Sequence, residues 1–341
     1  MKKIALAAAL AAALSISLPA CAADAATEVV KTPGAKILSV PVTKIRIDSR
    51  TNLIYSQPKG RHAGREGGLR MTLLTPATAG KKPAVVYFPG GGFMQSDYDK
   101  YVQMRMALAE AGFVVAAAEY RPLPAEFPAL LEDAKAAVRF LRAHANEFGI
   151  DKTRIAVLGD SAGGYLAQMA GATNGERKYD KGDFLNESSY VQAVVSFYGI
   201  SDLRSIGEGH PEAVERNHHS PSVTEAVLVS GFAFGAHGGK TIDEAGKAAI
   251  EASPIGHVDG NEPPYLLFHG VEDPLVSPLQ SSRMFKALKD KKEDAELRLV
   301  KGAKHGDRVW YQPEFRTQVV EWLKSKIGSP DTSREGKTNN L

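Results

Sequence analysis

Residues 154–170 read Arg-Ile-Ala-Val-Leu-Gly-Asp-Ser-Ala-Gly-Gly-Tyr-Leu-Ala-Gln-Met-Ala, and they set a serine between an apolar run and a helical pattern. The first five residues are typical of a buried β-strand, and the last nine are typical of an α-helix. Ser161 lies at the turn between them, and Gly159 and Gly163 leave room for that turn to be sharp. This context predicts a nucleophilic serine in preference to an ordinary glycine-rich turn.

Outward from this stretch, the chain alternates short apolar runs with helical patterns, which predicts an α/β fold with a mostly parallel sheet covered by helices on both faces. Two stretches, 36–47 and 68–74, alternate apolar with polar residues and are predicted to be antiparallel edge strands. The continuous or nearly continuous apolar runs predicted as buried strands are 83–88, 113–118, 154–158, 191–197, 264–269 and 295–300.

One helix is predicted with particular clarity before the serine. Apolar residues step by three and four from Leu131 to Ala145, which lines one face of a helix that ends near Gly149. The other face carries charged side chains, namely Asp133, Lys135, Arg139 and Arg142.

Two stretches fit the alternation poorly. Residues 174–189 are rich in charge, glycine and asparagine, so they are predicted to form a surface loop. Residues 206–250 are rich in glycine and histidine and are long enough to form an inserted lid. We therefore predict one α/β-hydrolase domain over residues 36–328, with the lid at about 206–250 and a disordered polar tail over residues 329–341.

The first residues predict export. Two lysines and an apolar run up to residue 18, too short to span a bilayer, are typical of a signal peptide, which we place at residues 1–22 before a linker at 23–35. The protein is then periplasmic or secreted. Cys21 offers an alternative, because Leu-Pro-Ala-Cys at 18–21 resembles a bacterial lipobox, which would anchor the protein in a membrane through a lipid on Cys21.

Composition narrows the choice of partners. Hydrophobic residues make up 43% and charged residues 24% of the 341 residues, a balance typical of a globular protein. The formal net charge is +3, and removal of the two lysines of the signal peptide lowers it to +1, so no nucleic-acid partner is expected.

The chain has one cysteine, which excludes an internal disulfide. The spacing of His210, His218 and His219 matches no metal-ligand pattern, so neither a metal nor a cofactor is expected.

A second glycine motif precedes the serine by about 70 residues. Pro-Gly-Gly-Gly-Phe at 89–93 follows a predicted strand, and its glycines let main-chain N–H groups point at a developing oxyanion. The N–H of Ala162, the residue after the nucleophile, is a further predicted donor. Phe93 and Tyr165 flank the two glycine motifs, and they are candidates either for lining a substrate pocket or for packing in the core.

The catalytic acid and base should follow the serine in that order. His305 lies in a loop between the last predicted strand and the last predicted helix, and we predict that it is the base. Asp273 lies in the loop after the preceding strand and is the predicted acid, with Glu272 and Asp307 as alternatives. His269, at the end of a strand, is predicted to be a structural histidine.

These motifs together resemble the bacterial esterases of the α/β-hydrolase superfamily, in the group similar to hormone-sensitive lipase and to feruloyl and acetyl-xylan esterases. Members of that group carry His-Gly-Gly-Gly, Tyr-Arg-Leu-Ala-Pro and Gly-Asp-Ser-Ala-Gly-Gly. This chain has Pro-Gly-Gly-Gly at 89–92, Tyr-Arg-Pro-Leu-Pro at 120–124 and Gly-Asp-Ser-Ala-Gly-Gly at 159–164. The resemblance covers most of residues 80–325, and it includes the segments 197–202, 252–254, 269–273 and 302–306.

The resemblance implies a serine carboxylic-ester hydrolase acting on small esters, with acetyl and feruloyl esters of sugars among them. It implies a triad of Ser161, Asp273 and His305, and an oxyanion hole formed by the N–H groups of Gly91, Gly92 and Ala162. Pro89 departs from the group, because a histidine opens the glycine loop there, so the loop must be held in another way. Two alternatives stay open: a peptidase resembling the prolyl-oligopeptidase group, and a catalytically silent binding protein with the hydrolase fold.

Overall fold

The computed structural model of the protein describes residues 32–59 and 68–328, and the β-strands in these residues form one sheet. Each strand in the central part of the sheet contains a run of at least four buried residues, most of them apolar, as expected for strands that are covered on both faces. The strands are β1 Ile47–Ser56, β2 Leu69–Pro76, β3 Lys82–Phe88, β4 Val114–Ala118, β5 Ile150–Asp160, β6 Val194–Phe197, β7 Tyr265–Gly270 and β8 Ala295–Val300.

The order of strands across the sheet is β1-β2-β4-β3-β5-β6-β7-β8. The first two pairings, of β1 with β2 and of β2 with β4, are antiparallel, and all the later pairings are parallel. The carboxyl ends of β3 and of β5 to β8 therefore meet at one edge of the sheet, which is where open α/β sheets bind their ligands. The predicted mostly parallel α/β fold is confirmed.

Helices cover both faces of the sheet. The helices among the described residues are α1 Val102–Glu110, α2 Ala129–Ala143, α3 Ala145–Phe148, α4 Ala162–Ala172, α5 Glu212–His218, α6 Thr224–Ser230, α7 Lys247–Glu251, α8 Leu279–Asp290 and α9 Pro313–Ile327. Residues of α2, α4 and α8 belong to one apolar cluster, and residues of α1 and α9 belong to a second. The sheet separates these clusters, because alternate residues of a strand point to opposite faces: Val86 lies in the first cluster and its neighbours Val85 and Tyr87 in the second.

One predicted strand is wrong. Residues 36–46 contain no strand, and the first strand begins only at Ile47, while the stretch at 68–74 does form the antiparallel β2. The chain divides into two units at residue 43, and in the described part of the first unit, 32–43, the side chains are exposed. Alternation of apolar and polar residues therefore does not suffice for a strand when no core covers the apolar side.

Several predictions fall on residues that the structure does not describe. The signal peptide at 1–22, the lipobox cysteine Cys21 and the tail at 329–341 lie outside the described residues. Within 32–59 and 68–328, no helix has the length and apolar character that crossing a bilayer requires. The stretch predicted as a lid lies between β6 and β7 and contains α5, α6 and most of α7.

The charged face of α2 is buried in the folded protein. Lys135 donates a hydrogen bond to the carbonyl of Thr173 at 2.8 Å, and Arg139 pairs with Asp180 at 2.8 Å. Arg142 donates to the carbonyl of Tyr190, also at 2.8 Å. These cations lie under the loop that follows α4 and fix its main chain to α2, because buried charges require hydrogen-bonded partners.

The pH dependence of stability should reveal the buried Lys135. Burial lowers the pKa of Lys135 from 10.5 to about 8. Between these two pH values the unfolded chain binds more protons than the folded protein, so the free energy of unfolding should rise with pH. Lys135→Met should remove about 3 kcal/mol of this rise. Urea denaturation at a series of pH values from 7 to 11 measures the free energy of unfolding. Lys152→Met removes the charge of an exposed lysine and is the control for the loss of one charge. Parallel curves for the wild type and Lys135→Met would contradict the prediction.

Candidate active site

Ser161 stands at the carboxyl edge of the sheet, between the end of β5 and the start of α4. Its backbone has φ +54° and ψ −120°, a strained conformation for a residue with a side chain. The Ser161 N–H donates to the carbonyl of Phe197 on the neighbouring β6 at 2.9 Å, which fixes the turn to the sheet. This strained strand-to-helix turn holds the hydroxyl clear of the backbone, as a nucleophile elbow requires.

The glycines on both sides of the serine are required by close approach of main-chain atoms. A Cβ atom on Gly159 would lie 2.1 Å from the carbonyl oxygen of Gly163, and one on Gly163 would lie 2.0 Å from that of Phe88. Real Cβ atoms do not approach oxygen so closely. The spacing of the glycines around Ser161 is therefore fixed by the packing of β5, α4 and β3.

Replacing Gly163 by alanine should destabilise the fold by about 3 kcal/mol or more, because the new methyl group meets rigid main chain. Gly238→Ala is the matched control: no atom lies within 4 Å of the position that its new methyl group would take, so its effect should stay within about 1 kcal/mol. Chemical denaturation of both variants measures the difference. Equal stabilities of the two variants would contradict this account of the elbow.

The structure brings the three predicted triad side chains together from three separate loops. His305 Nε2 lies 2.8 Å from Ser161 Oγ, and His305 Nδ1 lies 2.7 Å from Asp273 Oδ2. Of the alternative acids, Glu272 is exposed, and Asp307 accepts hydrogen bonds from the main-chain N–H groups of Lys304 and Val309. Asp273 is thus the acid that contacts the histidine.

Asp273 is held as a carboxylate. Its Oδ1 accepts hydrogen bonds from the N–H groups of Leu275 at 2.9 Å and Val276 at 3.0 Å. Burial by itself raises the pKa of Asp273, but the hydrogen bonds from His269 and His305 outweigh burial and hold the pKa well below its usual range. A carboxylate accepts, so His305 carries its proton on Nδ1, and Nε2 is left to accept the proton of Ser161.

Sequence reasoning missed the residues that hold His305 in place. The ring of Tyr198 meets the imidazole edge-on, with centroids 4.7 Å apart. Trp310, fully buried, donates from its indole N–H to the carbonyl of Lys304 at 2.7 Å and so fixes the loop just before the histidine. Tyr198 lies in the Phe197–Asp202 stretch of the family resemblance, which was the one available signal for it.

The N–H groups predicted to form the oxyanion hole are unused within the described part of the chain. The N–H groups of Gly91, Gly92 and Ala162 donate to no protein acceptor there. Ala162 begins α4, so its N–H lies at the positive end of the helix, which favours negative charge. Unused main-chain donors beside Ser161 are what an oxyanion hole requires.

Phe93 and Tyr165 pack in the core. Their rings meet edge-on with centroids 5.2 Å apart, and their exposed fractions are 2% and 0%. The Tyr165 hydroxyl donates to the carbonyl of Ala252 at 2.6 Å. Of the two interpretations given by the sequence, the burial of both rings favours core packing over contact with substrate.

The start of the inserted stretch contacts the acid loop. The N–H of Ser277 donates to the carbonyl of Ile206 at 3.0 Å, and His210 Nε2 donates to the carbonyl of Asp273 at 2.9 Å. His218 and His219 pair with Glu225 and Asp243. Among the residues that the structure describes, no cluster of histidine, cysteine and carboxylate side chains could hold a metal ion.

A serine at a strand-to-helix elbow, followed along the chain by an acid and a histidine on later loops at the same sheet edge, defines the α/β-hydrolase class. The chain belongs to the BD-FAE family, whose profile matches residues 71–288.

Several known proteins are similar to this chain. A probable carboxylic ester hydrolase of Mycobacterium tuberculosis, LipM, is 30% identical over 209 residues, which cover 60% of this chain and 44% of that protein. The chain spans about half the length of the curated relatives it matches.

Among solved structures, a truncated carbohydrate esterase from gut microbiota superposes with a TM-score of 0.71 at 23% identity, covering 85% of this chain and 99% of that one. An acetyl ester-xyloside bifunctional hydrolase from Caldicellulosiruptor lactoaceticus superposes with a TM-score of 0.62 at 23% identity, covering 76% of this chain and 89% of that one. At this level of identity the superpositions show a shared fold.

Proposed function

We propose that the protein hydrolyses carboxylic esters through an acyl-enzyme on Ser161. The observation that carries the proposal is the continuous hydrogen-bonded chain from Ser161 through His305 to Asp273, together with main-chain donors that no group in residues 32–59 and 68–328 uses. Membership of the BD-FAE family and the esterase names of the relatives support it.

The geometry suits a two-step acyl transfer. Ser161 Oγ attacks the ester carbonyl carbon while its proton passes to His305 Nε2, and Asp273 stabilises the imidazolium that forms. The carbonyl oxygen becomes an oxyanion that accepts hydrogen bonds from Gly91, Gly92 and Ala162. The ester C–O bond then breaks, and His305 returns the proton to the departing alcohol. Water repeats the attack on the acyl-enzyme, with His305 again as base, and releases the carboxylic acid.

We further propose that the substrates are small acyl esters, with acetyl esters of carbohydrates as the first class to examine. The similar solved structures include a carbohydrate esterase and an acetyl ester-xyloside hydrolase, which supports this choice of substrate class. Residues 1–22 resemble a signal peptide, which supports action outside the cytoplasm, and polymeric carbohydrates are substrates available there.

A panel of substrates tests the proposal. Para-nitrophenyl esters of increasing acyl length, acetylated and feruloylated xylo-oligosaccharides, and proline-containing peptide amides should be compared at equal concentration. We expect turnover of acetyl esters and none of the peptide amides. Peptide turnover above ester turnover would favour a peptidase. A protein that turns over no ester and is not labelled at Ser161 by a fluorophosphonate would be a binding protein, and the proposal would fail.

A further inference from the structure

The loop that carries the predicted oxyanion donors is held by the side chains of Tyr120, Asp160 and Lys100, which contact its main chain. A trans peptide group is planar, and its carbonyl oxygen and N–H point in opposite directions. Fixing a carbonyl on one side therefore aims the N–H of the next residue to the other side. This rule gives the orientation of two successive peptide groups in the loop, Pro89–Gly90 and Gly90–Gly91.

The Pro89–Gly90 peptide is fixed at both ends. The hydroxyl of Tyr120 donates to the Pro89 carbonyl at 2.8 Å, and the Gly90 N–H donates to Asp160 Oδ1 at 3.1 Å. The same Oδ1 accepts from the hydroxyl of Tyr87 at 2.7 Å. A Cβ atom on Gly90 would lie 2.6 Å from Asp160 Oδ2, so only glycine allows this approach.

The Gly90–Gly91 peptide is fixed by a cation. Lys100 Nζ donates to the Gly90 carbonyl at 2.9 Å, on the side of the peptide opposite to the Gly91 N–H. We propose that Lys100 is a positioning residue for ester hydrolysis: its ammonium group orients the Gly90–Gly91 peptide and polarises it, so that the Gly91 N–H is aimed at the oxyanion and donates more strongly. This inference rests on the proposed esterase function.

The next peptide does not depend on Lys100. The Gly91 carbonyl accepts hydrogen bonds from the N–H groups of Met94 at 3.0 Å and Gln95 at 3.3 Å. This local turn aims the Gly92 N–H. Removal of the Lys100 ammonium should therefore weaken one oxyanion donor and leave the second in place.

Hydrogen bonds of Lys100 and of the next residue fix the position of the main chain that carries the lysine. The Lys100 N–H donates to the carbonyl of Asp97 at 3.4 Å, and the next residue, Tyr101, has φ +54°. The Tyr101 hydroxyl donates to the carbonyl of Trp310 at 2.9 Å. Trp310 also fixes the loop before His305 through its indole N–H, so the segments that carry the lysine and the catalytic base are both anchored on one buried residue.

Lys100→Met tests the proposal by removing the ammonium and keeping the length of the side chain. We expect kcat for para-nitrophenyl acetate to fall about 10- to 30-fold, below the 10²- to 10³-fold cost of losing a whole donor, and KM to change by less than about twofold. A short-chain alkyl trifluoromethyl ketone, which forms a hemiketal oxyanion on Ser161, should bind more weakly by the same factor as kcat falls. A role in folding alone would not produce this match.

Lys82→Met is the matched control. Lys82 Nζ also donates to a glycine carbonyl, that of Gly80, at the same 2.9 Å, but at the opposite end of β3. It should keep the wild-type kcat and ketone affinity. If both methionine variants show the same kcat, or if Lys100→Met changes KM and not kcat, the proposal is overturned. A wild type that neither turns over esters nor reacts with a fluorophosphonate would instead overturn the proposed function.

A chemical rescue covers the case in which Lys100→Met fails to fold. Lys100→Cys should lose activity to a similar degree, and alkylation with 2-bromoethylamine should restore most of it by regenerating an ammonium group at the same distance. Wild-type protein treated in the same way is the control for reaction at the native cysteine. A fully alkylated variant that remains as slow as its untreated form would refute the role of the ammonium.

Discussion

Replacing Ser161 by alanine should lower kcat for ester hydrolysis about 10⁶-fold, the scale seen when the serine is removed from a working triad. Without the hydroxyl, His305 has no oxygen to activate, and the unused N–H groups can bind an oxyanion only after attack by unassisted water. Initial rates with para-nitrophenyl acetate, measured at high enzyme concentration, give the loss. The Ser161→Ala variant should also no longer be labelled by a fluorophosphonate, while its free energy of unfolding stays near that of the wild type.

Ser222→Ala provides the control, because it removes an exposed hydroxyl in the inserted stretch. It should retain the activity and the labelling of the wild type. If the Ser161 variant keeps activity within about tenfold of the control, the observed hydrolysis does not pass through Ser161 and the acyl-enzyme mechanism is wrong.

Asp273→Asn should lower kcat about 10⁴-fold, because it places the imidazole of His305 in the wrong tautomer. The asparagine Oδ1 can still accept from the N–H groups of Leu275 and Val276, which leaves its NH₂ group facing His305. Nδ1 must then accept, and the proton moves to Nε2, where it blocks removal of the proton from Ser161. The defect should appear in kcat while the protein stays folded.

Glu272→Gln is the matched control for Asp273→Asn, since it makes the same chemical change at the exposed neighbouring residue. Its kcat should stay within about twofold of the wild type. Circular dichroism and denaturation of both variants separate a catalytic defect from a loss of fold. Similar kcat values for the two variants would show that Asp273 does not govern the tautomer of His305.

The central strands and the elbow could be predicted because their causes are local. The apolar runs of β3, β4 and β7 begin and end within one residue of the predicted bounds, since a strand covered on both faces is built mainly of apolar residues. Residues 36–47 failed as a strand because alternation says nothing about whether a core lies opposite.

The charged face of α2 shows the same limit on prediction. Lys135, Arg139 and Arg142 are spaced as a solvated helix face would be, but the loop after α4 covers them. Their partners are main-chain carbonyls and one carboxylate, and no residue type or spacing in the sequence marks such partners in advance. Only the path of the folded loop determines that these cations are buried.

The sequence by itself determined that Ser161 stands at a strained turn, because the strand before it, the helix after it and the two glycines are all neighbours along the chain. It also determined the order of serine, acid and histidine. Tertiary structure alone decided which acid meets His305, that Tyr198 and Trp310 hold the histidine, and that Lys100 meets the Gly90 carbonyl. These contacts join side chains and main-chain groups on separate loops, so they depend on how strands and helices pack and leave no pattern in local sequence.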